Sequence, residues 1–146
     1  RDLRVKNFMA KTKKKHAEAF QALIQNGHIP TFAELKALKI PAFSGIASMS
    51  KILAFLDPVE HCVLDQHIAR LGHQRTQHAL RQLKLGNQLT ITNHNQMVYD
   101  SWKKECLSIS QTYFKSRYRA VDIERGFSQL IQNDDLEMAQ NIYTNS

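Results

Sequence analysis

Apolar residues return at intervals of three and four along almost the whole chain, and little separates them that would interrupt a helix. Five glycines and three prolines occur in 146 residues, too few for the turns that a sheet of short strands requires. Val5, Phe8 and Met9, then Ala17, Phe20, Leu23 and Ile24, fit one long amphipathic helix or two broken near residues 11–15. Gly27 reads as the C′ residue that closes it. Thr31 with Glu34 three residues on is a capping box for a short helix, which ends near Lys39 because Pro41 disfavours helix just before it. Ile46, Met49, Ile52, Leu53 and Leu56 mark a helix from Ile46 or Ala47 to Leu56, broken by Asp57 and Pro58. Residues 58–64 read as an irregular link.

Asp65 then reads as the N-cap of a helix carrying Ile68 and Leu71 up to Gly72, and residues 76–83 as another short helix. Residues 86–93 are β-prone but short, and read as a loop. Asn93 or Asn95 is expected to cap a long helix to about Phe114, with Val98, Trp102, Leu107 or Cys106, and Ile109 facing inward. A basic link at 116–119 precedes a helix over Ala120–Gln132, with Val121, Phe127, Leu130 and Ile131 buried, and a last one over 136–143. Trp102, Phe55 and Phe127 are placed in the core. The expectation is one all-α domain over residues 1–146 with seven or eight helices.

Twenty Lys and Arg against thirteen Asp and Glu leave a formal charge of +7, which favours a polyanionic partner. Nucleic acid comes before membrane, because no lipidation motif accompanies the basic residues and no apolar run approaches the roughly 18 residues needed to span a bilayer. The basic opening (Arg1, Arg4, Lys6, Lys11, Lys13, Lys14, Lys15) continues into an amphipathic stretch, unlike a secretory leader. An opening Arg1 in place of Met leads us to expect further residues before it. Cys62 and Cys106 are the two cysteines. They are too few for a disulfide framework, a structural zinc site or an iron–sulfur cluster, and both fall in apolar stretches as small buried hydrophobes. A reduced, cytoplasmic protein is expected.

Residues 39–71 carry the most information. A helix, a tight hairpin around Gly45, a second helix, a loop holding Pro58 and then Asp65-Gln66-His67-Ile68-Ala69-Arg70 follow one another. This order, and the spacing from Gly45 to Asp65, resemble the helix-hairpin-helix base-excision DNA glycosylases, the HhH-GPD superfamily. Tyr99, Trp102, Cys106 and the stretch Ala120-Val121-Asp122-Ile123-Glu124-Arg125 are similar to segments of small members of that superfamily. The resemblance implies an HhH-GPD-like helical fold in three parts: a basic helical segment 1–30, the helix-hairpin-helix with its proline loop and aspartate at 31–71, and C-terminal helices at 72–146. It implies a DNA partner gripped by hairpin amides at Phe43, Ser44, Gly45, Ile46 and Ala47. Asp65 would be the essential carboxylate, hydrolysing the N-glycosidic bond of a flipped base. Lys51, His67, Arg70, Lys84, Lys13 and Lys14 are the further candidate DNA contacts. A monovalent cation at the hairpin is frequent in the family; no iron–sulfur cluster is implied here.

Two departures weigh against full enzyme chemistry. The hairpin keeps Gly45 alone of the family's glycine pair, and Ala47 or Ser48 stands where lyase members carry a Schiff-base lysine. Lys51 lies one turn later on the same face as a candidate substitute nucleophile, and a monofunctional glycosylase is preferred to a lyase. Each candidate also has a plainer reading. Asp65 serves as a helix cap, His67 bonds a neighbouring loop, and Lys51 and residues 11–15 are solvated or phosphate-facing cations. Tyr113, Tyr118 and Arg119 are read as surface groups able to meet DNA, and Asp122 as the partner of Arg125. Two other functions stay open: a non-catalytic DNA-binding module of the same fold, and a helical protein-interaction domain whose charge is incidental.

Overall fold

A computed structural model describes residues 13–146. The expected helical stretch through Val5, Phe8 and Met9, and the cations at 1, 4, 6 and 11, lie outside the described residues. Among the described residues there are six α-helices, three single 3₁₀ turns and no strand. The helices are α1 (Lys14–Leu23), α2 (Phe32–Ala37), α3 (Ile46–Leu56), α4 (Asn93–Phe114), α5 (Ala120–Gln132) and α6 (Leu136–Thr144).

The helix boundaries follow their local chemistry. α1 ends before Asn26 and Gly27, which both adopt left-handed φ (61° and 74°). α2 starts at the expected capping box: the Glu34 N–H donates to Thr31 Oγ1 at 3.2 Å, and the Thr31 N–H donates to Glu34 Oε2 at 2.8 Å. α4 is capped by Thr92, whose hydroxyl accepts the Asn95 N–H at 3.1 Å, and not by Asn93 or Asn95. Asn95 is instead buried, its amide holding the Lys84 N–H and the carbonyls of Lys84 and Thr90.

Two expected helices are shorter and tighter. The stretch after Asp65 is a 3₁₀ turn at Ile68–Leu71, and that after Thr76 a 3₁₀ turn at Ala79–Gln82. Ile68, Ala69, Leu71, Ala79 and Leu80 are all buried. Packing on several sides satisfies these turns, whereas an α-helix there would turn part of this apolar set to solvent. The chain at Gly72 runs close against the second turn, where a Cβ would stand 2.2 Å from the Leu80 carbonyl oxygen.

One hydrophobic core joins residues from Phe32 to Tyr143. Trp102, fully buried, packs edge-on against Tyr143 (centroids 5.5 Å apart) and tilted against Phe127 (6.0 Å). Cys62 and Cys106 are buried within it as expected. Cys106 is the inward residue of the Cys106–Leu107 pair, and Leu130 is only half-buried. Phe55 departs furthest: at 85% exposure it is a surface residue of α3. Its helical spacing is apolar, yet the buried stripe of α3 runs through Ile46, Met49, Leu53 and Ala54.

The link between α3 and the Asp65 turn has no regular structure, so its polar backbone is satisfied from outside. Pro58 and Val59 carbonyls accept the Val121 and Ala120 N–H groups at the start of α5. Tyr99 Oη–H and Trp102 Nε1–H, both from α4, donate to the carbonyls of Cys62 and Val63 at 3.1 Å each. Ser50 Oγ on α3 accepts the Leu64 N–H at 3.0 Å. Three helices therefore fix the residues just ahead of Asp65.

The turn leading into α3 holds Lys39 and Ala42 at φ 49° and 66°, conformations that a Cβ makes costly. Ala42→Gly is expected to relieve this and stabilise the chain by about 0.5–1 kcal/mol, read as a higher urea midpoint.

Candidate functional site

Gly45 is the N-cap of α3. Its Cα faces the Leu89 carbonyl so closely that a Cβ would lie 3.0 Å from that oxygen, which itself accepts the Ile46 N–H at 3.1 Å. The 86–93 loop thus clamps the hairpin. Gln66 Nε2 donates to the Asn87 carbonyl at 2.9 Å and ties the same loop to the Asp65 turn. Between hairpin, α3, the Asp65 turn and this loop lies a groove of about 490 Å³, lined by Ser44, Gly45, Ala47, Ser48, Lys51, Asp65, His67 and Asn87 among others.

Asp65 uses its two oxygens differently. Oδ1 accepts the N–H groups of His67 and Ile68, both at 3.0 Å, which is the expected cap, now on a 3₁₀ turn. Oδ2 stands 3.7 Å from Lys51 Nζ, with the Lys51 side chain 59% and the Asp65 side chain 28% exposed. The carboxylate therefore faces the groove, and the hairpin's helix start and Lys51 face it from the other wall.

The hairpin amides are only partly available. The Phe43 N–H donates to the Ile40 carbonyl at 3.1 Å and the Ile46 N–H is taken by Leu89, while the Ile46 side chain is fully buried. Those two expected phosphate donors are corrected: closing the turn and docking the loop consumes them. Ser44, Gly45 and Ala47 remain on the groove wall. A cation at the hairpin would draw on its backbone carbonyls, but those of Ile40, Ala42 and Gly45 already accept the Phe43 N–H, Ser48 Oγ–H and Met49 N–H. No step is routed through such an ion.

The remaining candidates divide. His67 lines the groove, but its Nε2 lies 3.4 Å from the Ser128 carbonyl on α5, which makes it a bridge between the Asp65 turn and α5. Arg70, exposed, sits past the groove, where its carbonyl accepts Gln140 Nε2–H. Lys84 is exposed with its backbone held by Asn95, and Lys14 pairs with Glu18 at 3.5 Å beside exposed Lys13 on α1. None of these four lines the groove. Tyr113 and Tyr118 are half exposed but lie elsewhere, Tyr118 stacked edge-on with Phe114 at 5.0 Å in an apolar concavity of about 340 Å³. Asp122 pairs with Arg119, not Arg125, through Arg119 Nε at 2.8 Å; that hydrogen bond holds its carboxyl down at about 2.

Sequence reasoning missed Glu124. It stands one turn into α5, yet it is 5% exposed. Burial above all, then the neighbouring Asp65 charge, raises its carboxyl to about 7, against the Val63 amide and the cations Arg125 and Lys51. The signal was present in the spacing. Ala120, Glu124, Phe127 and Ile131 fall four, three and four apart, so an acid stands on the apolar stripe of α5.

No helix among the described residues is long and apolar enough to cross a membrane. No protein-family model, curated protein or solved structure matches the chain.

Proposed function

We propose that this chain is a DNA-binding protein of the base-excision glycosylase type, with Asp65 as the carboxylate that hydrolyses the N-glycosidic bond of a flipped base. What carries the reading is the single groove in which the N-terminus of α3, Lys51 and Asp65 face one another. A helix start offers backbone N–H groups and a partial positive charge to a phosphate. Lys51 adds a second positive group, and an arriving phosphate competes with Asp65 Oδ2 for it. Asp65, released from that pairing, is placed to meet the reacting sugar.

In the proposed reaction the bond from C1′ to the base nitrogen breaks and positive charge grows on the sugar, where an adjacent carboxylate stabilises it. Water attacks C1′, its proton passes to Asp65, and the leaving base is protonated from solvent. Lys51 acts as a cation in this scheme rather than as a nucleophile.

Duplex DNA binding should fall with salt, with log K against log[salt] sloping at about −3, the weight of three to four phosphate contacts. Fluorescence anisotropy of a labelled duplex between 50 and 300 mM salt reads this slope. Alkali-revealed strand breaks in duplexes holding damaged or mismatched bases then test the chemistry. Absence of salt-sensitive binding would overturn the reading and leave the interaction-domain alternative. One observation favours a non-catalytic DNA-binding module: Asp65 is already engaged on both oxygens. Binding without base release from any duplex selects that module.

A further inference from the structure

The loop between the second 3₁₀ turn and α4 closes one side of the groove, and the proposed chemistry gives it no task. Residues 86–92 adopt no regular structure, yet they are pinned at three points. The Leu89 carbonyl accepts the Ile46 N–H at 3.1 Å, the Asn87 carbonyl accepts Gln66 Nε2–H at 2.9 Å, and the Thr90 carbonyl accepts Asn95 Nδ2–H at 3.1 Å. The Leu89 side chain is buried as well. Backbone and one apolar side chain therefore hold the loop, and the side chains of Asn87 and Gln88 are not needed for that. Both residues are exposed, and both line the groove of about 490 Å³ that contains Lys51 and Asp65. Neither side-chain amide has a hydrogen-bond partner among the described residues.

The rest of the lining limits what those amides meet. Among the described residues no Phe, Tyr or Trp ring lines the groove, and its one lysine, Lys51, stands 3.7 Å from Asp65. A base entering here finds no broad aromatic face to stack on, so its edge is what the protein reads. A side-chain amide carries a donor and an acceptor side by side. Its partner is a base edge on which a donor adjoins an acceptor, the arrangement by which Asn and Gln pair with bases in two hydrogen bonds.

We propose that Asn87 and Gln88 are the base-reading wall of the groove, specificity-determining residues that accept a flipped, neutral base through an edge setting an N–H beside a C=O, as in the deaminated bases uracil and hypoxanthine. This inference rests on the reading of the groove as the seat of a flipped base, and adds the substrate class to it. The two walls divide the work. The start of α3 and Lys51 meet phosphates, which are the same in every sequence, and the loop meets the base edge, which is not. Because the loop is fixed by its backbone, the amides are presented without any rearrangement of the hairpin or of the Asp65 turn.

The deciding experiment compares the affinity of the whole chain for a matched duplex, for one with uracil opposite guanine and for one with difluorotoluene in place of that uracil. Difluorotoluene keeps the shape of a pyrimidine and lacks both hydrogen-bonding groups of its edge. A 2′-fluoro sugar at the test position withdraws electrons and keeps the uracil bond intact during the measurement. Wild type should bind the uracil duplex about tenfold tighter than the difluorotoluene duplex, the lower range of one two-bond amide–base pair. Difluorotoluene pairs poorly and flips more readily, so a preference for uracil has to come from the edge. The double variant Asn87→Ala, Gln88→Ala should bind the two alike. Its affinity for the matched duplex, its salt slope and its urea midpoint should stay at wild-type values, because the phosphate contacts and the loop anchors are unchanged. Equal affinity of wild type for both test duplexes overturns the inference, and so does a uracil preference that the double variant retains; in either case DNA binding itself stands. Absence of salt-sensitive binding to every duplex overturns the proposed function and the base-reading wall with it.

Discussion

Asp65→Asn is expected to leave the fold standing and to lower base release from a damaged duplex by about 100-fold or more, the usual weight of a positioned acid–base group. The substitution separates the two duties of this side chain. Oδ1 accepts the His67 and Ile68 N–H groups, and an asparagine carbonyl oxygen does the same almost equally well. Only the charge on Oδ2 disappears, together with a half-exposed pairing to Lys51 that is worth at most about 1 kcal/mol. DNA affinity should hold or rise, because an anion leaves the groove. The checks are single-turnover base release, duplex affinity and the urea midpoint, side by side. Unchanged base release would remove Asp65 from the chemistry. A large drop in midpoint would show that its role is the cap.

Gly72→Ala is expected to destabilise the chain by about 3 kcal/mol or more, beyond an ordinary surface change. Gly72 has φ −77°, a value any residue adopts, so the cost is contact alone. A Cβ there would meet backbone on three counts: the Leu80 oxygen at 2.2 Å, the Leu80 carbon at 2.4 Å and the Arg81 nitrogen at 2.9 Å. Backbone cannot swing aside as the tip of a long side chain can. Relief would push the Ala79–Gln82 turn off the Ile68–Leu71 turn and strain the bond from the Leu80 N–H to Tyr143 Oη, which also bonds Glu105 at 2.5 Å. The Asp65 turn rests on this contact, so groove and stability should be lost together. A urea midpoint near wild type would show that the two turns slide apart at little cost.

The long helices were legible because each carries its own evidence. α3 and α5 begin and end where the apolar stripe and flanking breakers place them, and the Thr31–Glu34 box forms as read. The 65–83 stretch was not legible as 3₁₀ turns, because its apolar spacing is equally that of short helices. Nor was the exposure of Phe55, since spacing tells which residues share a face but not which face is covered. In the groove, Gly45, Ser44, Ala47, Lys51 and Asp65 are brought to one concavity. Arg70, Lys84, Lys13 and Lys14, grouped with them for charge alone, stand elsewhere. Charge is a property of the whole chain and carries no direction.

Helicity, the boundaries of the major helices and the cap at Asp65 are local matters, settled within a few residues by spacing, side-chain oxygens and helix-breaking residues, and the amino-acid order alone determined them. Tertiary structure decided the rest: that the Leu89 carbonyl takes the Ile46 amide and that Lys51 reaches Asp65. Those two contacts join residues 43 and 14 positions apart. Their energies come from burial and from the loss of water around charges, which exist only once distant segments have packed.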